Sequence, residues 1–256
     1  MRTKDNENDD RIPYVFGYNA KTAKHTKRKK PLMKRLKGYW NWRIETPLYY
    51  VYRFNYSVFK KHFTIGKTRL RYFIDRYNAV RTERVVEIPF AIYELLRQPH
   101  SEVLEVGNVL SHYHQFNHDI VDKYELGEGI INSDIVEYRP DRKYDLILSI
   151  STIEHIGFDE PVQEKGKAEK AMARIIDLLK PEGTAVITVP LAYNPEIDEI
   201  IKNKKFDFLE AHFMKRISRF NLWRETSLDD ALIRTYGSRY VYANAIALLI
   251  VKKPAE

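Results

Sequence analysis

The rhythm of apolar and polar positions changes along this chain. Up to residue 37 apolar residues are sparse between charges, and such a segment buries too little surface to order itself. Residues 38–62 are aromatic-rich: Gly38-Tyr39-Trp40-Asn41-Trp42 and Pro47-Leu48-Tyr49-Tyr50-Val51-Tyr52-Arg53-Phe54. A segment of this kind packs on a folded body, covers a site or lies at a membrane interface. Phe63-Thr64-Ile65 and Thr68-Arg69-Leu70-Arg71-Tyr72-Phe73 flank Gly66-Lys67, which predicts two short strands around a tight turn. Val85 to Leu96 predicts a helix, with Val86, Phe90 or Ile92, Tyr93 and Leu96 near one face.

Beyond Pro99 strands and connections alternate. Val103–Val106, His118–Val121 and Gly129–Asn132 predict three strands, and Tyr144–Ile150 a fourth, nearly continuous in apolar residues as a buried parallel strand should be. Ala168–Leu179 predicts a helix stopped by Lys180-Pro181-Glu182-Gly183, and Thr184–Val189 a fifth strand. Met214–Ser218 and Ala243–Val251 supply the last two. The order implies an α/β fold with a mostly parallel sheet and helices on its faces. About ten residues separate Gly107 from the second strand and fewer than ten separate Asp122 from the third. A parallel crossover usually needs about a dozen or more, so one or both connecting helices are reduced to a turn, or the strand bounds are displaced.

Charge divides the chain. Residues 21–37 hold nine Lys or Arg and no acid; with these removed from the net +8, the remainder carries about −1. The arm suits RNA, DNA or an anionic membrane surface, or is a solvated tail. The 256 residues divide into this arm (1–37), an aromatic-rich extension with a hairpin (38–87) and a main α/β domain (88–256). There is no Cys, and no apolar run of about 18 residues. These features predict a protein of a reducing cytoplasm with no transmembrane segment or signal peptide, peripheral membrane contact being one alternative for the arm.

In a doubly wound sheet ligands bind beyond the carboxyl ends of the strands. Glu105-Val106-Gly107 ends the first such strand, and a glycine there lets the backbone approach a ligand. Asp122, after the next strand, is placed to hold ribose hydroxyls, with Glu125 as its alternative. Asp134, after the third, is placed to read an adenine edge. The segment 103–193 resembles the class I S-adenosylmethionine-dependent methyltransferases. Val103-Leu104-Glu105-Val106-Gly107 is similar to their first motif. Tyr144-Asp145-Leu146-Ile147 with Ile153-Glu154-His155-Ile156 is similar to their fourth strand and its turn. Leu179-Lys180-Pro181-Glu182-Gly183-Thr184 is similar to the turn into their fifth strand, which Pro190-Leu191-Ala192-Tyr193-Asn194 follows.

The resemblance implies a Rossmann-like fold with a seven-stranded sheet, ending in an antiparallel strand. It also implies S-adenosylmethionine as cofactor, held by Glu105, Gly107, Asn108, Asp122 and Asp134, with Arg81 or Arg84 at its methionine carboxylate. Where the family's motif has two or three glycines, Gly107 is followed here by Asn108-Val109-Leu110-Ser111. Cofactor contacts therefore fall partly to Asn108 or Ser111, and a non-catalytic binding protein on the same fold is an alternative. His155 is the expected base, with Glu154 orienting it. His155, Asp159 and Glu160 make only a weak metal set, and no metal is expected. The expected reaction moves a methyl group to an oxygen or nitrogen of a small-molecule or glycan-like acceptor, because the body is near neutral. An RNA methyltransferase using the basic arm is the other enzymatic reading.

Overall fold

The computed structural model describes residues 49–54, 56, 61–75, 79–97, 102–114 and 116–255. The basic arm and most of the aromatic-rich segment lie outside the described residues; within that segment 49–54 are helical. Strands β1 (His62–Ile65) and β2 (Thr68–Arg71) form the expected hairpin, Phe63 opposite Leu70. Helix α1 (Arg84–Arg97) follows, carrying Pro89 in its interior. Proline has no N–H to give the carbonyl four residues back. That carbonyl, on Val85, instead accepts the Phe73 N–H at 3.0 Å. The proline thus frees an acceptor that ties the end of the hairpin to the helix. Leu96 is exposed rather than on the buried face, because burial concentrates in the first half of α1, from Val85 to Ile92.

The main sheet contains β3 (Val103–Val106), β4 (Asp119–Asp122), β5 (Ile130–Asn132), β6 (Tyr144–Ile150), β7 (Leu179–Pro190), β8 (Phe208–Arg216), β9 (Trp223–Thr226) and β10 (Ala245–Lys252). Their spatial order is β5-β4-β3-β6-β7-β10-β8-β9. From β5 to β7 neighbours are parallel, while β10 pairs antiparallel with both β7 and β8, and β8 with β9. The chain leaves β3 toward β5 and returns to β6 on the other side of β3, so the switch point lies between β3 and β6. The sheet has eight strands rather than seven. The addition is β9, whose short, half-polar run Trp223-Arg224-Glu225-Thr226 carries little apolar signal. Strand β7 also begins earlier than expected, directly at the end of α2 (Lys167–Leu178), with a register shift opposite Tyr144/Leu146.

The short links account for themselves. Between β3 and β4 the described chain forms only a 3-10 turn at Leu110–His112, and the described link from β4 to β5 contains no helix. Helices lie on both faces. Leu104, Val106, Ile147 and Ile187 meet α2 and α3 (Pro195–Lys202) on one side. Leu146, Leu148, Ile150 and Leu248 meet α1 and the hairpin on the other. Alternate residues of β6 thus enter opposite cores, as the two-residue period of a strand requires. Helix α4 (Leu228–Leu232) is a short turn capped by Ser227. Among the described residues no helix is long and apolar enough to cross a membrane.

Candidate active site

Strands β3, β4 and β5 end side by side, and the residues that follow line one cavity of about 510 Å³. That volume lies within the range of roughly 300–1,000 Å³ for small-molecule sites. Gly107, Asn108, Asp122, Glu125, Asp134, Arg84 and His155 all line it.

Gly107 turns the chain out of β3 with φ +85°, and a Cβ there would stand 2.6 Å from Thr152 Cγ2. A side chain is thus barred both by backbone conformation and by the loop after β6. Glu105 is fully buried and does not line the cavity. One of its oxygens accepts the N–H groups of Val109 (2.8 Å) and Leu110 (2.7 Å), and the other lies 2.9 Å from His118 Nε2. Its carboxylate therefore shapes the loop, a task that further glycines would not perform. The Asn108 side-chain oxygen accepts a hydrogen bond from Ser111.

Asp122 binds the same loop, accepting the Asn108 N–H at 3.0 Å, while its second oxygen accepts those of Tyr124 (2.8 Å) and Glu125 (2.7 Å). A carboxylate offers about four acceptor positions, so these bonds fix the group and leave capacity toward the cavity. Glu125 pairs with His112 at 3.3 Å. Asp134 accepts the Val136 N–H and pairs with Lys123 (2.9 Å) and Lys167 (2.7 Å); Glu160 pairs with the same two lysines at 2.9 and 2.7 Å. Burial opposes ionisation here, but hydrogen bonds from Lys167 and Lys123 outweigh it and hold both carboxyls below the usual range.

His155 sits on a 3-10 turn after β6, half in solvent. Its Nδ1 pairs with Asp159, which also accepts the Tyr193 hydroxyl at 2.6 Å. Burial works against the Asp159 charge, yet the hydrogen bonds from His155 and Tyr193 hold its carboxyl below the ordinary range. Glu154 lies at the other ring nitrogen, with Oε1 3.6 Å from Nε2. Asp159, and not Glu154, is the acid within hydrogen-bond distance of the imidazole. Of the two arginines, Arg84 lines the cavity and Arg81 does not; the Arg81 carbonyl accepts from Arg216. Among the described residues no group of three or more His, Asp or Glu converges as a metal site.

Several cavity residues lie outside the sequence expectations: Lys123, Ser133, Ser151 and Thr152; Glu160, weighed there only as a metal ligand, also lines it. Ser151 has φ +43° and donates its hydroxyl to Glu87 of α1 at 2.7 Å. The one local signal for that pair is an acid amid the apolar face of α1.

A family model described as a methyltransferase domain matches residues 72–241, well over half of the chain. No curated protein matches the sequence. Among solved structures, the chain is similar to the N-methyltransferase NodS from Bradyrhizobium japonicum WM9 in complex with S-adenosyl-L-homocysteine. That match has 12% identity and a TM-score of 0.45, covering 67% of this chain and 87% of that one. It is also similar to the 1,6-didemethyltoxoflavin-N1-methyltransferase from Burkholderia thailandensis, at 16% identity and a TM-score of 0.41, covering 65% and 77%.

Proposed function

Because the chain belongs to the class I S-adenosylmethionine-dependent methyltransferases, we propose that it methylates an oxygen or nitrogen of a small-molecule or glycan-like acceptor. The observation that supports this reading is the convergence of Gly107, Asp122, Asp134, Arg84 and His155 on one cavity at the switch point. The donor set fits the cofactor. Asp122 retains acceptor capacity for ribose hydroxyls, Asp134 stands beyond β5 for the adenine edge, and the Arg84 guanidinium suits a carboxylate. Asn108, with its side chain tied to Ser111, lines the loop where the family has further glycines.

When bound, S-adenosylmethionine supplies a methyl carbon whose bond to sulfur breaks, the electron pair passing to sulfur as the acceptor's lone pair forms the new bond. The protein's own residues do the rest by positioning and by moving a proton. With Nδ1–H donated to Asp159, the His155 Nε2 lone pair is free to take the proton of a hydroxyl or ammonium. Glu105 and Asp122 hold the β3 loop by backbone N–H groups, so the cavity wall is preformed.

The test is methyl transfer from methyl-labelled S-adenosylmethionine to simple amines and alcohols, with total RNA as the competing acceptor. Label on the small acceptors is expected. Label on RNA alone would favour the reading that uses the arm at 21–37.

A further inference from the structure

Behind His155 and Ser151 lies a set of buried acids that the proposed chemistry does not use. Glu154 is 1% exposed, and its Oε2 is buried without a hydrogen-bond partner among the described residues. An orphaned buried carboxyl oxygen is costly unless something meets it. Glu87 is fully buried, and the hydroxyl of Ser151, a cavity residue, donates to it with both carboxyl oxygens in reach. Glu83, one turn earlier, accepts the Ala243 N–H at 3.4 Å. Among the described residues, Arg84 and Arg216 are the cations facing these acids, and the titratable His155 lies 3.6 Å from Glu154.

Burial raises all three carboxyls, and their mutual repulsion raises Glu87 and Glu154 further; Glu87 is pushed up to about 7. Aromatic rings gather at His155, the residue after Glu154. Tyr193 meets His155 edge-on at 5.2 Å, Phe158 at 5.8 Å and Tyr236 at 4.9 Å. The charges of Glu83 and Glu154 also act on the Tyr236 hydroxyl. Buried carboxyls beside aromatic rings are the surroundings that recognise an ammonium group.

We infer that the methyl acceptor carries a protonated amine, and that Glu154 binds this cation through its unpartnered Oε2, with Glu87 and Glu83 behind it and Tyr193 and Tyr236 alongside. This inference rests on the methyltransferase reading above. It narrows the acceptor class from any small oxygen or nitrogen nucleophile to cationic amines. A cation entering the cluster favours the ionised acids, so binding near pH 6–7 releases protons.

The test uses n-butylammonium and its neutral isostere n-butanol as probes of the full chain loaded with S-adenosylhomocysteine. Binding is followed by saturation-transfer NMR and by calorimetry in two buffers of different ionisation enthalpy. Butylammonium is expected to bind at least ten-fold tighter than butanol, with a buffer-dependent heat. Glu154→Gln is expected to lose that preference while keeping its affinity for S-adenosylhomocysteine and its melting temperature. Glu87→Gln serves as the second variant should the first fail to fold. Equal binding of butanol, no binding of butylammonium, or an unchanged preference in both variants overturns the inference while leaving the methyltransferase reading intact. Failure of the wild-type chain to take up S-adenosylhomocysteine overturns that reading and this inference with it.

Discussion

His155 and Glu87 show how one side chain's role follows from its neighbours. The imidazole is tethered by Asp159 at Nδ1, and the second nitrogen faces the buried Glu154, whose carboxyl is raised well above the usual range by burial. A positioned base of this kind is worth about 10²–10⁴ in rate for a hydroxyl acceptor and less for an amine. His155→Ala should cut turnover accordingly, with S-adenosylhomocysteine affinity and melting temperature nearly constant. Unchanged turnover would remove His155 from the chemistry, and a fall in cofactor affinity would move it to the cofactor site. Glu87 titrates at about 7 in the folded chain against an ordinary value of 4.5, first because it is buried and next because Glu83 is near. A raised folded value means that its contribution to stability is complete below about pH 4.5 and is lost as pH rises through about 7. Glu87→Gln cannot ionise, so its melting temperature should fall less than the wild type's between pH 5 and pH 8. Parallel melting curves would show that Glu87 keeps one protonation state. Neither role is fixed by local sequence: Glu87 stands out only as an acid amid an apolar helix face, and the fold alone brings Ser151, 64 residues away, against it. Gly107 is legible, because a glycine leaving a buried strand has few other uses.

At the scale of elements, local patterns located the hairpin, α1, α2, β3 and β6, where apolar periodicity is strong. They missed β9 and the early start of β7, which depend on partners rather than on local composition. Strand β9 is held by a long-range contact and a local one. Its Trp223 N–H donates to Tyr72 Oη at 2.8 Å, and Trp223 Nε1 donates to Asn221 Oδ1 at 2.8 Å. Asn221, fully buried at φ +56°, also donates to the carbonyls of Val80 and Thr82 just before α1. One amide therefore ties the β8–β9 turn to the entry of α1. Asn221→Ala leaves buried partners unsatisfied, so it should destabilise the fold by about 2–3 kcal/mol in denaturant titration. A loss under about 0.5 kcal/mol, the usual range of surface substitutions, would show that water replaces the amide.

Across the whole molecule, charge and packing divide the labour. Tyr56 is buried, and its hydroxyl donates to the Asn221 carbonyl at 2.7 Å, so the aromatic segment reaches the same hub as β9. The nine basic residues at 21–37 precede that segment. A chain beginning at Gly38 keeps Tyr56 and should melt within a few degrees of the full chain. A chain beginning at Lys61 loses Tyr56 and should melt well below it. Insolubility of the Gly38 chain would show that the arm is part of the core. The parallel order, the switch point and the residues after β3, β4 and β5 were legible from the succession of apolar runs. The Lys123–Asp134–Lys167–Glu160 cluster at the edge of the same cavity was not, because its members meet only when the link after β4 and the start of α2 are brought together.

The central claim, that this cavity holds the methyl donor, is tested most directly by calorimetry with S-adenosylhomocysteine. The wild-type chain should bind one molecule per chain. Asp122→Ala should weaken binding by roughly ten-fold or more, since a charged hydrogen-bonding group is removed from the site. Gly107→Leu, which drives a side chain into Thr152, should abolish it. A folded wild-type chain that takes up none, or unchanged affinity in both variants, would contradict the claim.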